Sequence, residues 1–177
     1  MPYLKQTRDM DNFMEALLRD HRRYLPIVEF LDSIIHNAAE LSWADCERIG
    51  LALGRQNGSE FCAGIRAGMI NALGRDVEAT DDDRLRPVLA YALKLNQDSS
   101  AVIEADIQAI RDAGWNDQTV EDVAGLVACL KAYSILANGL GFKALPEAVF
   151  AEMGAATVEM KGYAPLFRSY IERIKAA

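Results

Sequence analysis

Leu41-Ser42-Trp43-Ala44-Asp45-Cys46-Glu47-Arg48-Ile49-Gly50-Leu51-Ala52-Leu53-Gly54-Arg55-Gln56-Asn57-Gly58-Ser59-Glu60-Phe61-Cys62-Ala63-Gly64-Ile65-Arg66-Ala67-Gly68-Met69-Ile70-Asn71-Ala72-Leu73 reads as two helices joined by a tight turn. Ser42 followed by Asp45 has the form of a capping box, and the apolar residues Ile49, Leu51, Ala52 and Leu53 come after it. Asn57-Gly58 stops this helix, because both residues tolerate the left-handed conformation. Ser59 restarts a helix at once, carried by Ile65, Met69, Ile70 and Leu73, with the serine as its N-cap. Cys62 then falls in a first helical turn beside unpaired backbone N–H groups, a placement that favours the thiolate. Arg66 follows four residues later on the same face and Glu60 lies in the same turn, so the two neighbours act on the sulfur in opposite directions.

Outward from this hairpin the pattern stays helical. Met10, Phe13, Leu17, Leu18 and Tyr24 predict an amphipathic helix over 10–24, and Pro26 suits the first position of another running to about Asn37. Thr80-Asp81-Asp82-Asp83 predicts a cap with acidic residues where the macrodipole favours them, ahead of a helix bearing Leu85, Val88, Leu89, Leu93 and Leu95. A short helix is expected from Ile103 to Ala113, closed by Gly114. Asn116-Asp117 opens the longest apolar helix, Val120 to about Leu140. Pro146 starts a C-terminal extension whose final helix runs from about Pro165 to Ile174. Val, Ile and Thr nowhere form alternating runs bounded by turns, so strands are not expected. Aligning Leu41-Ser42 with Trp115-Asn116 sets Glu47 against Glu121 and Ile49 against Val123, a faint repeat that suggests two packed helical hairpins.

The 177 residues suit one domain, 1–177, able to bury about 70% of its unfolded surface without a disulfide or metal. The chain is 51% hydrophobic and 25% charged, with a net charge of −7. Its pI is near 4.9. That balance argues against nucleic acid and against anionic lipid, both of which require a positive surface. No apolar run is expected to reach the roughly 20 residues of a membrane helix, and the first residues do not form a secretory signal. Cys46, Cys62 and Cys129 are odd in number and widely spaced. They predict reduced thiols in a cytoplasmic protein rather than a disulfide framework.

The glutamate, the helix-start cysteine and their spacing resemble the alkylhydroperoxidase-D-like (carboxymuconolactone decarboxylase) family, in its peroxidase-related branch. The family signature is a glutamate, a Cys-x-x-Cys pair beginning twelve residues later, and a histidine four residues past the second cysteine. Laid on this chain, these positions fall on Glu47, Ser59, Cys62 and Arg66. Leu85 to Leu95, Ile107 to Gly114 and Asn138 to Gly141 also resemble that branch, so the likeness covers about 25–141 and leaves 142–177 as a helical extension. The resemblance implies an all-α bundle of paired helical hairpins, a homo-oligomer (dimer or larger), and hydroperoxide chemistry without a metal or cofactor.

The departures from the signature change that chemistry. Ser59 cannot form the family's disulfide, and Arg66 cannot relay a proton, because its pKa lies above about 12. What the motif permits is one-cysteine chemistry: Cys62 attacks a hydroperoxide and an external thiol reduces the sulfenic acid. Arg66 would favour the thiolate and Glu47 would orient Arg66, unless the two pair so tightly that the sulfur gains little. A different enzyme class is also open, in which Arg66 binds a small carboxylate and Glu47 is the general acid or base of a decarboxylation or isomerisation. So is a non-catalytic member, with Cys62 a small core residue and Glu47 and Arg66 a structural ion pair. Cys46 is a remote resolving partner and Cys129 reads as core. His21 and His36 make no metal site, the Asp81–Asp83 run reads as a cap, and Gly64 and Gly68 suit close helix contact.

Overall fold

The computed structural model describes residues 2–78 and 83–176. The described residues form nine α-helices and no strand, with short 3₁₀ turns at Lys5–Thr7 and Ser99–Ala101. The helices are α1 (Phe13–Arg19), α2 (His21–Asn37), α3 (Trp43–Gln56), α4 (Glu60–Ala72), α5 (Arg86–Gln97), α6 (Glu104–Asp112), α7 (Asp117–Leu140), α8 (Glu147–Glu159) and α9 (Tyr163–Ala176). The all-α expectation holds. Thr80, Asp81 and Asp82 of the expected acidic cap lie outside the described residues.

The helix ends follow the chemistry of their flanking residues. Ser42 and Asp45 form a reciprocal capping box at the start of α3. The Asn116 side chain caps α7 by accepting from the Thr119 N–H at 3.0 Å. Gly141 ends α7 at a φ of 83°, a left-handed conformation that glycine adopts without steric cost. Two expectations need correction. The helix predicted over 10–24 breaks at Asp20 (φ −114°, ψ 50°), and α2 begins at His21, so Pro26 lies inside α2 rather than at its start. The helix tolerates this because the carbonyl that Pro26 leaves without a helical donor belongs to the exposed Arg22.

Helix α7 runs through the centre, packed against α2, α3 and α5, with Val123 and Leu126 fully buried. Its length and a mean hydropathy of 1.5 over its most apolar stretch would suffice to cross a membrane, contrary to the sequence expectation. The apolar residues are explained in the fold by the core they fill. Around this axis the α3–α4 hairpin packs on one side, and α4 in turn packs closely on α8. Glycines make that contact possible. A Cβ on Gly68 would lie 2.3 Å from the Phe150 carbonyl oxygen, and one on Gly154 would lie 2.5 Å from the Gly68 carbonyl oxygen. Gly64 faces the Phe150 ring in the same way, at 2.1 Å. Gly64 and Gly68 therefore serve close helix contact, as expected.

The turn before α4 is pinned to α7 and α5. Lys131 donates to Asn57 Oδ1 at 2.9 Å and to the Asn96 carbonyl at 3.2 Å, while Asn138 donates to the Asn57 carbonyl at 3.1 Å. A cation from α7 thus meets the C-terminal ends of α3 and α5, where the macrodipoles are negative. This fixes the point at which the chain turns toward Cys62.

Candidate functional site

Glu47, in the second turn of α3, is fully buried, and Arg66 from α4 is 5% exposed. The two meet in an ion pair, Arg66 Nη1 to Glu47 Oε2, at 2.9 Å. Gly50, on the same face of α3 as Glu47, leaves space for the arginine arm: a Cβ there would stand 2.9 Å from Arg66 Cδ. Trp43, one turn before Glu47, donates its indole N–H to Oε1 at 2.9 Å. The fourth member comes from α9. The Tyr163 hydroxyl lies 3.0 Å from each Glu47 oxygen, to which it donates, and accepts from Arg66 Nη1 at 2.7 Å. The guanidinium also stands over the Tyr163 ring, with Cζ 4.9 Å from its centroid.

Protonation follows from this packing. Burial opposes the charged form of Arg66, but the Tyr163 oxygen and the Glu47 carboxylate outweigh it and hold the guanidinium pKa above its ordinary value. Burial, with the Glu47 carboxylate adding, pushes the Tyr163 phenol well above its usual range, so it remains a hydrogen-bond donor. The network thus holds one negative carboxylate against one positive guanidinium and cancels its own charge.

Helix α2 supports both aromatic members. Asp32 accepts from the Tyr163 backbone N–H at 2.7 Å, which fixes the start of α9. His36 lies 3.5 Å from Asp32 and packs edge-on against Trp43, with ring centroids 4.9 Å apart.

Cys62 lies elsewhere on α4. It is half-buried and lines an apolar pocket of about 310 Å³ together with Phe61, Ile65 and Arg66 of the same helix. Side chains of α1, α2, α7, α8 and α9, including Leu17, Leu31, Tyr133, Met153 and Tyr163, complete the wall. Among the described residues the Cys62 sulfur makes no hydrogen bond, so it shares the pocket with Arg66 without being joined to the Glu47 network. Glu47 and Ser59 are not among the described residues that line this pocket.

Ser59 occupies the N-cap position of α4, but its side chain does not cap the helix. Its ψ is 88°, whereas Ser42 and Asn116, whose side chains do cap, have ψ of 161° and 170°. With this backbone Oγ makes no hydrogen bond to the helix N–H groups, and that oxygen is buried without a partner among the described residues. The N–H groups of the first turn of α4, including that of Cys62, are accordingly not capped by Ser59.

The other thiols are sealed. Cys46 is 1% exposed, and burial together with the Glu47 charge pushes its pKa to about 12. Cys129 is 2% exposed and raised to about 11 by burial, its sulfur facing the Ile27 carbonyl at 3.6 Å. Neither lines the pocket that Cys62 lines. Among the described residues no three His, Cys, Asp or Glu side chains gather as a metal site would require. The hairpin sequence pointed to Glu47, Ser59, Cys62 and Arg66; it did not point to Trp43, Tyr133 or Tyr163. Trp43 was within reach as the residue one helical turn from Glu47. Tyr163, 97 residues beyond Arg66, left no local signal.

Two solved structures share this architecture. An uncharacterized peroxidase-related protein from Ralstonia eutropha JMP134, described as an alkylhydroperoxidase AhpD core, superposes with a TM-score of 0.67 at 24% identity, covering 79% of this chain and 78% of that one. An uncharacterized peroxidase-related protein from Silicibacter sp. TM1040 gives a TM-score of 0.70 at 19% identity, covering 76% of each chain. No protein-family model and no curated protein matches the chain. The fold is that of the alkylhydroperoxidase AhpD core.

Proposed function

We propose that this chain belongs to the peroxidase-related branch of the alkylhydroperoxidase-D-like family and is a one-cysteine, thiol-dependent hydroperoxidase. One observation carries the reading: of the three thiols, Cys62 alone stands in the wall of an apolar pocket, in the first turn of a helix. The Cys62 thiolate attacks the distal oxygen of a hydroperoxide; the S–O bond forms as the O–O bond breaks, and the leaving alkoxide takes a proton to become an alcohol. Two equivalents of an external thiol then reduce the sulfenic acid, giving one disulfide and one water. Arg66 provides a polar pocket wall near the reacting oxygens, and Glu47 and Tyr163 hold it there.

The test is loss of cumene hydroperoxide with excess dithiothreitol, with sulfenic acid trapped by dimedone and located by mass spectrometry. Wild type should turn over with Cys62 labelled, and Cys62→Ala should be silent. A Cys62→Ala protein as fast as wild type would end the proposal.

The closed Glu47–Arg66 pair favours a second reading, that of a ligand-binding member without catalysis. A network that cancels its own charge neither relays protons nor presents a bare cation, and the same argument weakens the small-carboxylate decarboxylase reading. In the second reading wild type is inactive, while Ser59→Cys with Arg66→His gains dithiol-dependent peroxidase activity. We also propose a homo-oligomer, dimer or larger, in a reducing compartment such as the cytoplasm. The exposed Ile135 (61%) and Phe30 (49%) and the three free thiols support this. Sedimentation showing only monomer at micromolar concentration would contradict the assembly.

A further inference from the structure

Among the polar side chains that line the pocket, two buried ones, Tyr133 and Arg66, carry donors that the network above does not use. Tyr133 of α7 is 8% exposed and lines the pocket, yet its hydroxyl makes no hydrogen bond with another described residue. That oxygen is not sealed in protein, as the Ser59 oxygen is. Arg66 uses Nη1 for both Glu47 and Tyr163, and its Nη2 amino group has no partner among the described residues although the side chain is only 6% exposed. Tyr133 lies within electrostatic reach of both Arg66 and Cys62. Burial raises the Tyr133 phenol above its ordinary range, so it too remains a donor. Two donors on largely buried side chains that line one apolar space therefore lack an acceptor among the described residues.

We infer that this pocket binds a neutral, largely aliphatic molecule through one carbonyl-type oxygen, which accepts hydrogen bonds from the Tyr133 hydroxyl and the Arg66 Nη2 amino group. The aliphatic body is set by the walls: Phe13, Leu17, Leu31, Ile65, Met153 and Leu166. An acceptor is set by the donors, which pair with an oxygen lone pair and with nothing apolar. Neutrality is set by charge balance. Glu47 already compensates Arg66, and Glu15 also lines the pocket, so a ligand carboxylate would enter as an uncompensated buried charge.

The inference shares its pocket with the peroxidase reading but does not use the sulfur, so the two can fail separately. Calorimetric titration with methyl heptyl ketone should give saturable one-to-one binding to wild type, and binding to Cys62→Ala should remain saturable. Nonanoate, of the same carbon number, should bind at least about tenfold more weakly. Tyr133→Phe, which removes one donor at almost constant volume, should weaken the ketone about fivefold, and Leu18→Trp, which fills the pocket from α1, should abolish binding. The infrared carbonyl stretch of bound ketone should fall below its value in hexane; this readout stands even if Tyr133→Phe fails to fold. Absence of saturable ketone binding, nonanoate binding as tightly as ketone, or an unshifted carbonyl stretch would each overturn the inference. Loss of peroxidase activity in Cys62→Ala with ketone binding intact supports both proposals independently.

Discussion

Replacing Arg66 with methionine would leave the Glu47 carboxylate fully buried without its countercharge, held only by the Trp43 and Tyr163 donors. Removing one partner of such a pair costs about 3–5 kcal/mol, most of it the price of the stranded charge. The double variant Glu47→Leu/Arg66→Met should therefore recover most of that loss, because neither charge remains. Urea unfolding of the two singles and the double checks this; a double variant as unstable as the summed singles would mean that the two side chains are not coupled. Gly50 belongs to the same question. Gly50→Ala would press on the arginine arm, so it should destabilise by about 1–3 kcal/mol despite alanine's better helix propensity. In the Arg66→Met background, whose shorter and more pliable side chain can give way, much of that penalty should disappear.

Among elements, the contact of α4 with α8 is one that glycines permit. Gly68→Ala and Gly154→Ala each place a methyl against backbone on the facing helix, which cannot yield as a flexible side chain can. Each should cost about 1–3 kcal/mol in thermal or urea unfolding, and Gly139→Ala, where a Cβ meets nothing within 4 Å, should cost almost nothing. If Gly68→Ala matched Gly139→Ala, the close packing would be wrong. The element scale is also where the sequence was most legible. Capping by Ser42, Asn116 and Gly141 is local chemistry, so α3 and α7 could be placed without tertiary knowledge. Pro26 misled because an exposed carbonyl makes an interior proline cheap, and exposure belongs to the whole fold. Ser59 misled because residue type predicts a cap only when ψ is extended, and the tight turn from Asn57 sets ψ otherwise. The candidate site divides the same way. The α3–α4 hairpin carries Glu47, Cys62 and Arg66 within twenty residues and was readable, whereas Tyr163 and Tyr133 reach it from α9 and α7 only through the packing.

For the molecule as a whole, the burial of two thiols makes stability depend on alkaline pH. The ordinary cysteine value is 9.0, and the folded chain holds Cys46 at about 12 and Cys129 at about 11. Below about pH 9 both states keep these protons, so the thiols contribute no pH dependence. Above it the unfolded chain releases protons that the folded chain retains, and unfolding becomes more favourable as pH rises toward the folded values. Each thiol then costs stability by up to about 1.4 kcal/mol per pH unit. The urea midpoint should accordingly be steady between about pH 7 and 8.5 and fall between about pH 9 and 10.5. Cys46→Ala/Cys129→Ala, though less stable at neutral pH because of the volume it removes, should show a flatter alkaline limb. The same burial predicts the labelling pattern with iodoacetamide at about neutral pH: one thiol, at Cys62, modified in the folded protein, and all three in denaturant. Rapid native modification of Cys46 or Cys129, or a midpoint that stays constant to about pH 10.5, would mean that the interior around α3 and α7 is open to water. In that case the Glu47–Arg66 pair, which lies in the same interior, would be hydrated, and removing one partner would cost far less than it does for a buried pair.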